Sequence, residues 1–287
     1  MPPTSSSLSP FAPNAPANAA IAGHYDSLDP FYRDLWGEHV HHGWWETGRE
    51  SPSEATEKMS RRVLGELKLG PRAKLADIGC GYGATARMAA ETHGANVVGL
   101  TLSATQKRHA DRCAVARGSV EIRVQDWKDT SFAEGEFDAL FALESLEHIA
   151  DKAGFARMAR RAVRPGGRVV VATWLTAENV SPWAQRHLLD AICREGRLPA
   201  LATAQAVRAA FSGAGFKLVS EDDLSGQVRR TWSVILRRLA WRLLTRRDYR
   251  KFLLNGQAQD RVFALTAARI RLAYRTGFFR YGFFVWE

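Results

Sequence analysis

Three glycines, Gly79, Gly81 and Gly83, interrupt the stretch KLADIGCGYGATARMAA between an apolar run and an alanine-rich, helix-forming run. No other feature restricts the fold as much. A strand must end there, the chain must turn with its main chain bare, and a helix must begin with its first amides facing the turn. Glycine lacks a Cβ, so the turn admits left-handed backbone or the close approach of a ligand. Something other than protein is expected to lie against it.

The surrounding pattern repeats this unit. KLADI (74–78), NVVGL (96–100), VEIRV (120–124), FDALFAL (137–143) and RVVVATW (168–174) read as strands. ATARMAAETH (84–93), SATQKRHADRCAVARG (103–118) and KAGFARMARRAV (152–163) read as the helices between them. Strands alternating with helices at this spacing give an α/β fold with a parallel sheet covered on both faces. An earlier helix follows Pro52, with Met59, Val63, Leu64 and Leu67 on one face, and Gly70-Pro71 stops it. After Trp174 the rhythm breaks into a helical excursion, then resumes with a helix over 204–213 and the strand FKLVSEDD (216–223). A long Arg-rich helical region (228–275) and an aromatic strand, FFRYGFFVW (278–286), complete the chain. Insertions after late strands lie over the carboxyl ends of a parallel sheet, where ligands bind, so both excursions are read as a lid.

The 287 residues, 46% of them hydrophobic, can build one sizeable core. Residues 1–22 carry no charge and many Pro, Ser and Ala, and read as a disordered tail. A secretory signal would need a basic start and an unbroken apolar centre. Cys80, Cys113 and Cys193 are widely spaced without a C-x-x-C pair, which argues against a zinc or disulfide framework and fits cytoplasmic residence. The net charge of +10 is local: 229–275 holds 13 Lys+Arg against 2 Asp+Glu, and the remainder 27 against 28. That segment places Trp232, Ile235, Leu236, Leu239 and Leu243 on one helical face, with Arg237, Arg238, Arg242 and Arg246 toward the other. It reads as a lid helix with a solvated face, as an interfacial helix on anionic lipid, or as a handle for nucleic acid.

The glycine turn alone leaves its ligand open. Gly79-x-Gly81-x-x-Ala84 satisfies the dinucleotide fingerprint, yet the following strand ends in Gly99-Leu100-Thr101-Leu102-Ser103 without the acid that a ribose would need. Asp77-x-Gly79-x-Gly81-x-Gly83 resembles motif I of the Rossmann-like S-adenosylmethionine-dependent methyltransferases. TLSATQ (101–106) resembles the TLSxxQ segment of tocopherol methyltransferases and cyclopropane fatty-acid synthases. QDW (125–127), FDALFALESLEHI (137–149) and RPGGRVVVATW (164–174) resemble the later motifs. HYDSLDPFYRDLWGEHVHHGWWE (24–46) and SPWAQ…LLDAICREGRLPAL (181–201) are similar to gamma-tocopherol methyltransferases in particular. The resemblance covers roughly 24–224.

It implies a seven-stranded methyltransferase sheet in one domain over 23–287. The cap would take 23–70, the core 71–176 and 202–224, the lid insertions 177–201 and 225–277, and the final strand 278–287. The implied cofactor is S-adenosylmethionine, held by Asp77, Gly79, Gly81, Gly83, Thr101, Leu102, Gln106, Asp126, Trp127 and Leu143. Asp77 would serve the cofactor's ammonium, Thr101 and Gln106 its ribose, and Asp126 its adenine. Tyr25, His42 and Gly43 would close on the sulfonium side. No metal is expected: His24, His39, His41 and His42 look like ligands, but no matching carboxylate or thiolate set accompanies them.

Methyl transfer asks mainly for near-attack geometry in a dry site, and a phenolic acceptor also needs a base. His148 is the first candidate, with Glu144 four residues earlier as its partner, and His24 is the second. A structural histidine is an equal reading of His148. The implied acceptor is a lipophilic or aromatic small molecule, foremost the ring carbon of a prenylated phenol or quinol. N- or O-methylation of an amine or natural product, or C-methylation of a prenyl diphosphate, stands as the alternative. Cyclopropane synthesis fits less well, because the acceptor-side segments follow the tocopherol pattern. ALESLEH replaces the N/D-P-P-aromatic tetrad of nucleic-acid amino-methyltransferases, which disfavours nucleic acid. Peripheral membrane contact through 229–275 remains an expectation.

Overall fold

The computed structural model describes residues 16–255 and 262–287. Seven strands form one sheet: β1 (Lys74–Ile78), β2 (Asn96–Thr101), β3 (Ser119–Val124), β4 (Phe137–Leu143), β5 (Val163–Thr176), β6 (Leu218–Asp223) and β7 (Phe279–Trp286). Their order is β3-β2-β1-β4-β5-β7-β6. The first five are parallel, and β7 enters antiparallel between β5 and β6. The order reverses between β1 and β4, so their carboxyl ends splay around a crevice, and the glycine turn sits at this switch point.

The helices are α1 (Asn18–Leu35), α2 (Pro52–Glu66), α3 (Ala84–His93), α4 (Ala104–Ala110), α5 (Lys152–Ala162), α6 (Pro182–Ala184), α7 (Asp190–Glu195), α8 (Ala204–Gly213), α9 (Ser225–Val228), α10 (Arg230–Thr245), α11 (Arg247–Leu254) and α12 (Phe263–Thr276). Strand alternation divides the apolar residues between two faces. Leu75, Val97, Phe141, Val170 and Phe283 pack with α2, α3, α10 and α12. Ala76, Leu100, Leu140, Val171 and Trp286 pack with α5 and α8. On that second face Phe211 of α8 stacks on Trp286, with centroids 5.0 Å apart. α2 begins with a capping box: Glu54 N donates to Ser51 Oγ, and Ser51 N returns a bond to Glu54 Oε2.

Four expectations need correction. The tail expected over 1–22 gives way at Asn18, where α1 begins; residues 1–15 lie outside the described residues. The helix expected over 103–118 stops at Ala110. The chain beyond it is drawn to α3 instead, where Ala116 N donates to Glu91 Oε1 and Arg117 Nη1 to Thr92 O. β5 starts at Val163 rather than Arg168, pairing with Phe137 ahead of a register shift. The Arg-rich region is not one helix, because the extended backbone of Arg246 separates α10 from α11.

The apolar face of α10 is not offered to solvent. Trp232, Ile235 and Leu239 are buried in the core. Arg238 donates to the Leu35 carbonyl and Arg242 pairs with Asp34, so these two arginines fasten α10 to α1. The exposed large apolar side chains of α10 and α11 are Trp241, Leu244 and Leu254, and α12 adds Leu265 and Leu272. Among the described residues no helix is long and apolar enough to cross a membrane.

Candidate active site

At the carboxyl ends of β1, β2 and β4 lies a cavity of about 170 Å³. β1 delivers Asp77 to its floor. The next turn places Gly79 and Gly81 at φ +83° and +54°. A Cβ on Gly79 would stand 2.2 Å from that of Ser145, whose hydroxyl bonds the Ile78 carbonyl. This glycine lets the ends of β1 and β4 meet. A Cβ on Gly81 would meet only Gln106 Nε2, at 4.0 Å, so its space opens toward the cavity that Gly81 lines.

Asp77 is 3% exposed, and its carboxyl receives no hydrogen bond from the described residues. Burial pushes its pKa well above the ordinary range. An isolated buried carboxyl is costly, and a cationic ligand group would supply the missing interaction. At the end of β2, Thr101 Oγ1 donates to Gln106 Oε1 at 2.6 Å. Ser103 caps α4 by accepting from Gln106 N, and its own hydroxyl donates to Asp26 of α1. Past β3, Asp126 accepts from Lys128 N and from the Asn18 side-chain amide at 2.6 Å. Trp127 packs edge-on against Phe155.

Tyr25, Asp77, Gly79, Gly81, Thr101, Leu102, Gln106, Asp126, Trp127 and Leu143 thus face one cavity. Three of the expected contacts do not. Gly83 caps α3 at φ +71° beside Ile122. Gly43 packs on Ala55 and donates its N–H to Thr231 Oγ1, and His42 turns away from this cavity toward Glu144. Sequence reasoning missed Ile21, Val40, His41 and Ser145 in the lining. Ser145 alone had a local signal, in its place directly after the β4 motif.

A second cavity, of about 80 Å³, meets the first along Tyr25, Val40, His41, Glu144 and His148. Trp36, Trp174, Ile192, Leu198, Trp232 and Ile270 make it apolar, and the last four come from the late insertions. A cavity lined by polar groups and glycines and a more apolar one therefore share a wall.

Glu144 dominates that wall. Its φ of +53° is left-handed, a conformation costing a non-glycine residue about 1–2 kcal/mol. The twist delivers its carboxylate to four donors. Oε1 accepts from His42 N (2.6 Å) and Tyr281 Oη (2.9 Å), and Oε2 from His42 Nδ1 and Trp174 Nε1 (2.9 Å each). The donor-only indole of Trp232 lies 2.6 Å from His42 Nε2, so Nε2 accepts and Nδ1–H points to Glu144. Burial alone would raise the Glu144 pKa, but the adjacent His42 outweighs it and brings the carboxylate to about 2. The expected Glu144–His148 pairing on one helical face is therefore corrected: Glu144 ends a strand, and its oxygens are taken by a latch between cap, sheet and lid.

His148 lies in a short 3-10 turn, Leu146–His148. Its Nδ1 is 3.4 Å from the Arg197 carbonyl, and its Nε2 is 3.0 Å from the Tyr25 hydroxyl. A carbonyl only accepts, so Nδ1 carries the proton and Nε2 the lone pair. Burial pushes its pKa down to about 4, and the ring stays unprotonated above that. His24 lies in the second cavity with Nε2 3.0 Å from Tyr32 Oη. His39 and His41 meet at the Ser60 hydroxyl. Glu147, which sequence reasoning passed over, lines the second cavity and accepts from Thr173 Oγ1 at 2.9 Å. Burial, reinforced by Glu144, raises its pKa to about 8.

Two consequences are measurable. Glu144→Gln keeps the shape but turns an NH₂ toward donors, and should cost roughly 3 kcal/mol in chemical denaturation. A change below about 0.5 kcal/mol would contradict the latch. Glu147 holds its proton more tightly folded than unfolded, so it makes stability fall as pH rises from about 4.5 to about 8. Glu147→Gln should flatten that fall in Tm, and an unchanged profile would contradict the assignment.

The orphaned carboxyl at Asp77, the open space at Gly81 and the polar groups of Thr101, Gln106 and Asp126 suit an adenosyl donor bearing an ammonium. Comparison with known proteins agrees. The model of the mycolic acid cyclopropane synthetase family matches residues 13–261. The chain is similar to the chloroplastic tocopherol O-methyltransferase of Arabidopsis thaliana, at 29% identity over 91% of this chain and 80% of that one. It is also similar to the 27-O-demethylrifamycin SV methyltransferase of Amycolatopsis mediterranei, at 30% identity over 76% and 81%. Its fold matches a cyclopropane synthase from Mycobacterium tuberculosis with a TM-score of 0.83, at 23% identity over 95% and 98%. The chain belongs to the mycolic acid cyclopropane synthetase family and is an S-adenosylmethionine-dependent methyltransferase.

Proposed function

We propose that this enzyme methylates the ring of a prenylated phenol or quinol that it takes from a membrane surface. The observation that carries this reading is the junction of the two cavities at Tyr25, Glu144 and His148. The cofactor supplies an electrophilic methyl group on a sulfonium. The glycine turn and Asp77 orient the donor from one side of the junction. The tryptophans and aliphatic side chains of the second cavity hold a flat, apolar acceptor on the other and exclude water. The tocopherol substrate in the name of the Arabidopsis relative supports this acceptor class.

The acceptor's hydroxyl proton has a route. Tyr25 donates to His148 Nε2, and its oxygen can accept from the acceptor hydroxyl. The acceptor O–H breaks, the Tyr25 proton moves to His148, and Tyr25 takes the acceptor's proton in its place. The ring carbon bonds the methyl, and its own hydrogen then returns to the oxygen. His148 takes the one proton the reaction releases on Nε2 while Nδ1–H stays on the Arg197 carbonyl, and with a pKa of about 4 it then gives that proton up to solvent. Tyr25 and His148 are the groups we assign to this transfer, with His24 behind them. The second reading is methylation at oxygen, favoured by the names of both relatives. It uses the same proton route and is separated by locating the methyl in the product.

The surface around α10 and α11 supports the membrane source. Trp241, Leu244 and Leu254 are 62%, 77% and 83% exposed. Arg237, Arg247, Arg250 and Lys251 are exposed beside them in sequence. Apolar side chains at the acyl boundary with cations at the headgroups make an interfacial site for anionic lipid. The inner face of α10 supplies Trp232 to the acceptor cavity, so one helix would connect surface and site.

Calorimetry should show micromolar binding of S-adenosylmethionine, lost in Gly81→Val. Tyr25→Phe should lower kcat on a prenylated quinol about 100-fold or more. Equal donor binding by Gly81→Val, or full turnover by Tyr25→Phe, would contradict the assignment. In flotation, the protein should rise with vesicles containing phosphatidylserine and fail to rise after Trp241→Ser with Leu244→Ser. Flotation that ignores lipid charge or these substitutions would refute the docking face.

A further inference from the structure

Glu38, which lines the donor cavity, and His109 and Cys113 place a carboxylate oxygen, an imidazole nitrogen and a thiol sulfur within 4.8 Å of one another. They are the one group of three or more potential metal ligands among the described residues. The spacing argument in the sequence set zinc aside because no C-x-x-C pair occurs. The pair here is instead His109 of α4 and Cys113 in the turn just beyond it, with the third ligand brought from the loop after α1. We propose that Glu38, His109 and Cys113 bind a zinc ion that fastens this loop to α4 and thereby strengthens cofactor binding.

The donor chemistry selects the metal. One nitrogen, one sulfur and one oxygen suit a tetrahedral ion of borderline softness with water in the fourth position, and hard oxygen-seeking cations do not. Ligand atoms around zinc stand about 3.4–3.8 Å apart. Closing from 4.8 Å therefore takes a shift of about 1 Å, which rotation of the exposed Glu38 side chain can supply.

Glu38 has an outer partner that fixes its direction, and the Cys113 thiol donates to the His109 carbonyl at 3.7 Å. Arg87 donates to Glu38 Oε2 at 2.6 Å, leaving Oε1 for the ion. The same guanidinium is held by the Tyr82 carbonyl. The His109 ring packs edge-on against Tyr82 at 5.4 Å, and its nitrogens have no hydrogen-bond partner among the described residues. The Tyr82 hydroxyl is itself tied to Asp29 of α1 at 2.6 Å. With the thiolate and the carboxylate, a divalent ion makes a neutral unit, so Arg87 is no obstacle. Binding expels the thiol proton, and affinity should rise with pH.

The link to the cofactor is spatial. Glu38 lines the donor cavity, and so do His39, Val40 and His41 after it. α4 contributes Gln106 to the same cavity one turn before His109. An ion joining the two elements would hold the rim closed, and the coupling must be reciprocal. This regulatory part rests on the donor site proposed above, whereas metal binding does not.

The test is a cobalt(II) titration of the metal-stripped full chain, followed by displacement with zinc. One equivalent should bind with a thiolate-to-cobalt charge-transfer band, and zinc should displace it with a Kd at or below about 1 µM. Cys113→Ser should abolish the band, His109→Gln and Glu38→Gln should weaken binding about tenfold or more, and Cys193→Ser should leave it intact. Zinc should tighten S-adenosylhomocysteine about fivefold or more in the wild type and leave Cys113→Ser unaffected. A missing band, or one that survives Cys113→Ser, would overturn the site. A normal band without a change in S-adenosylhomocysteine affinity would overturn its coupling to the cofactor.

Discussion

One buried carboxylate holds the working end of this molecule together. A parallel sheet leaves its carboxyl ends open, and here the cap, the sheet and two late helical insertions must all close over that opening. Glu144 does this by leaving the strand in a left-handed conformation and collecting hydrogen bonds from His42, Trp174 and Tyr281. His42 extends the network to Trp232 of α10, and Tyr274 of α12 lies 3.2 Å from the same nitrogen. Removing one partner would leave the others buried without a mate, so the network has no cheap intermediate state. The backbone strain at Glu144 persists because the surroundings demand it.

From that latch follow the two cavities and the wall between them. The donor side is built of main chain and small polar groups, as suits a ligand read by its amides, hydroxyls and charge. The acceptor side is built of tryptophan and aliphatic surface, as suits a ligand recognised by area. Tyr25 and His148 sit where the two meet, and burial keeps the imidazole unprotonated at neutral pH. Glu147, a carboxyl that burial holds protonated at neutral pH, puts a polar group in the same dry chamber without adding a charge. In the proposed mechanism the site separates binding of the methyl donor from handling of the acceptor's proton.

How much of this was legible in the sequence depended on how local the cause was. The Gly79–Gly83 turn, the β1 to β4 strands and the TLSATQ segment obey short-range rules, and the strand bounds follow the apolar runs closely. α4 was read too long because the contacts that end it come from α3, distant in sequence. Glu144 and His148 were read as a pair because helical periodicity was assumed where the chain instead leaves a strand. His42 and Gly43 were placed on the sulfonium, but the contacts that decide their position are with Thr231, Trp232 and Glu144. The apolar face of α10 fitted a lid packed on the protein as well as an interfacial helix, and only the packed structure tells the buried Trp232 from the exposed Trp241. Amphipathic patterning gives a face, not what covers it.

The account is tested most directly by a crystal structure with S-adenosylhomocysteine bound. It predicts the amino group beside Asp77, the adenine against Asp126 in place of the Asn18 amide, and the sulfur facing the wall formed by Tyr25, Glu144 and His148. A ligand whose sulfur points away from that wall, or whose adenosine lies outside the cavity above Gly81, would contradict it.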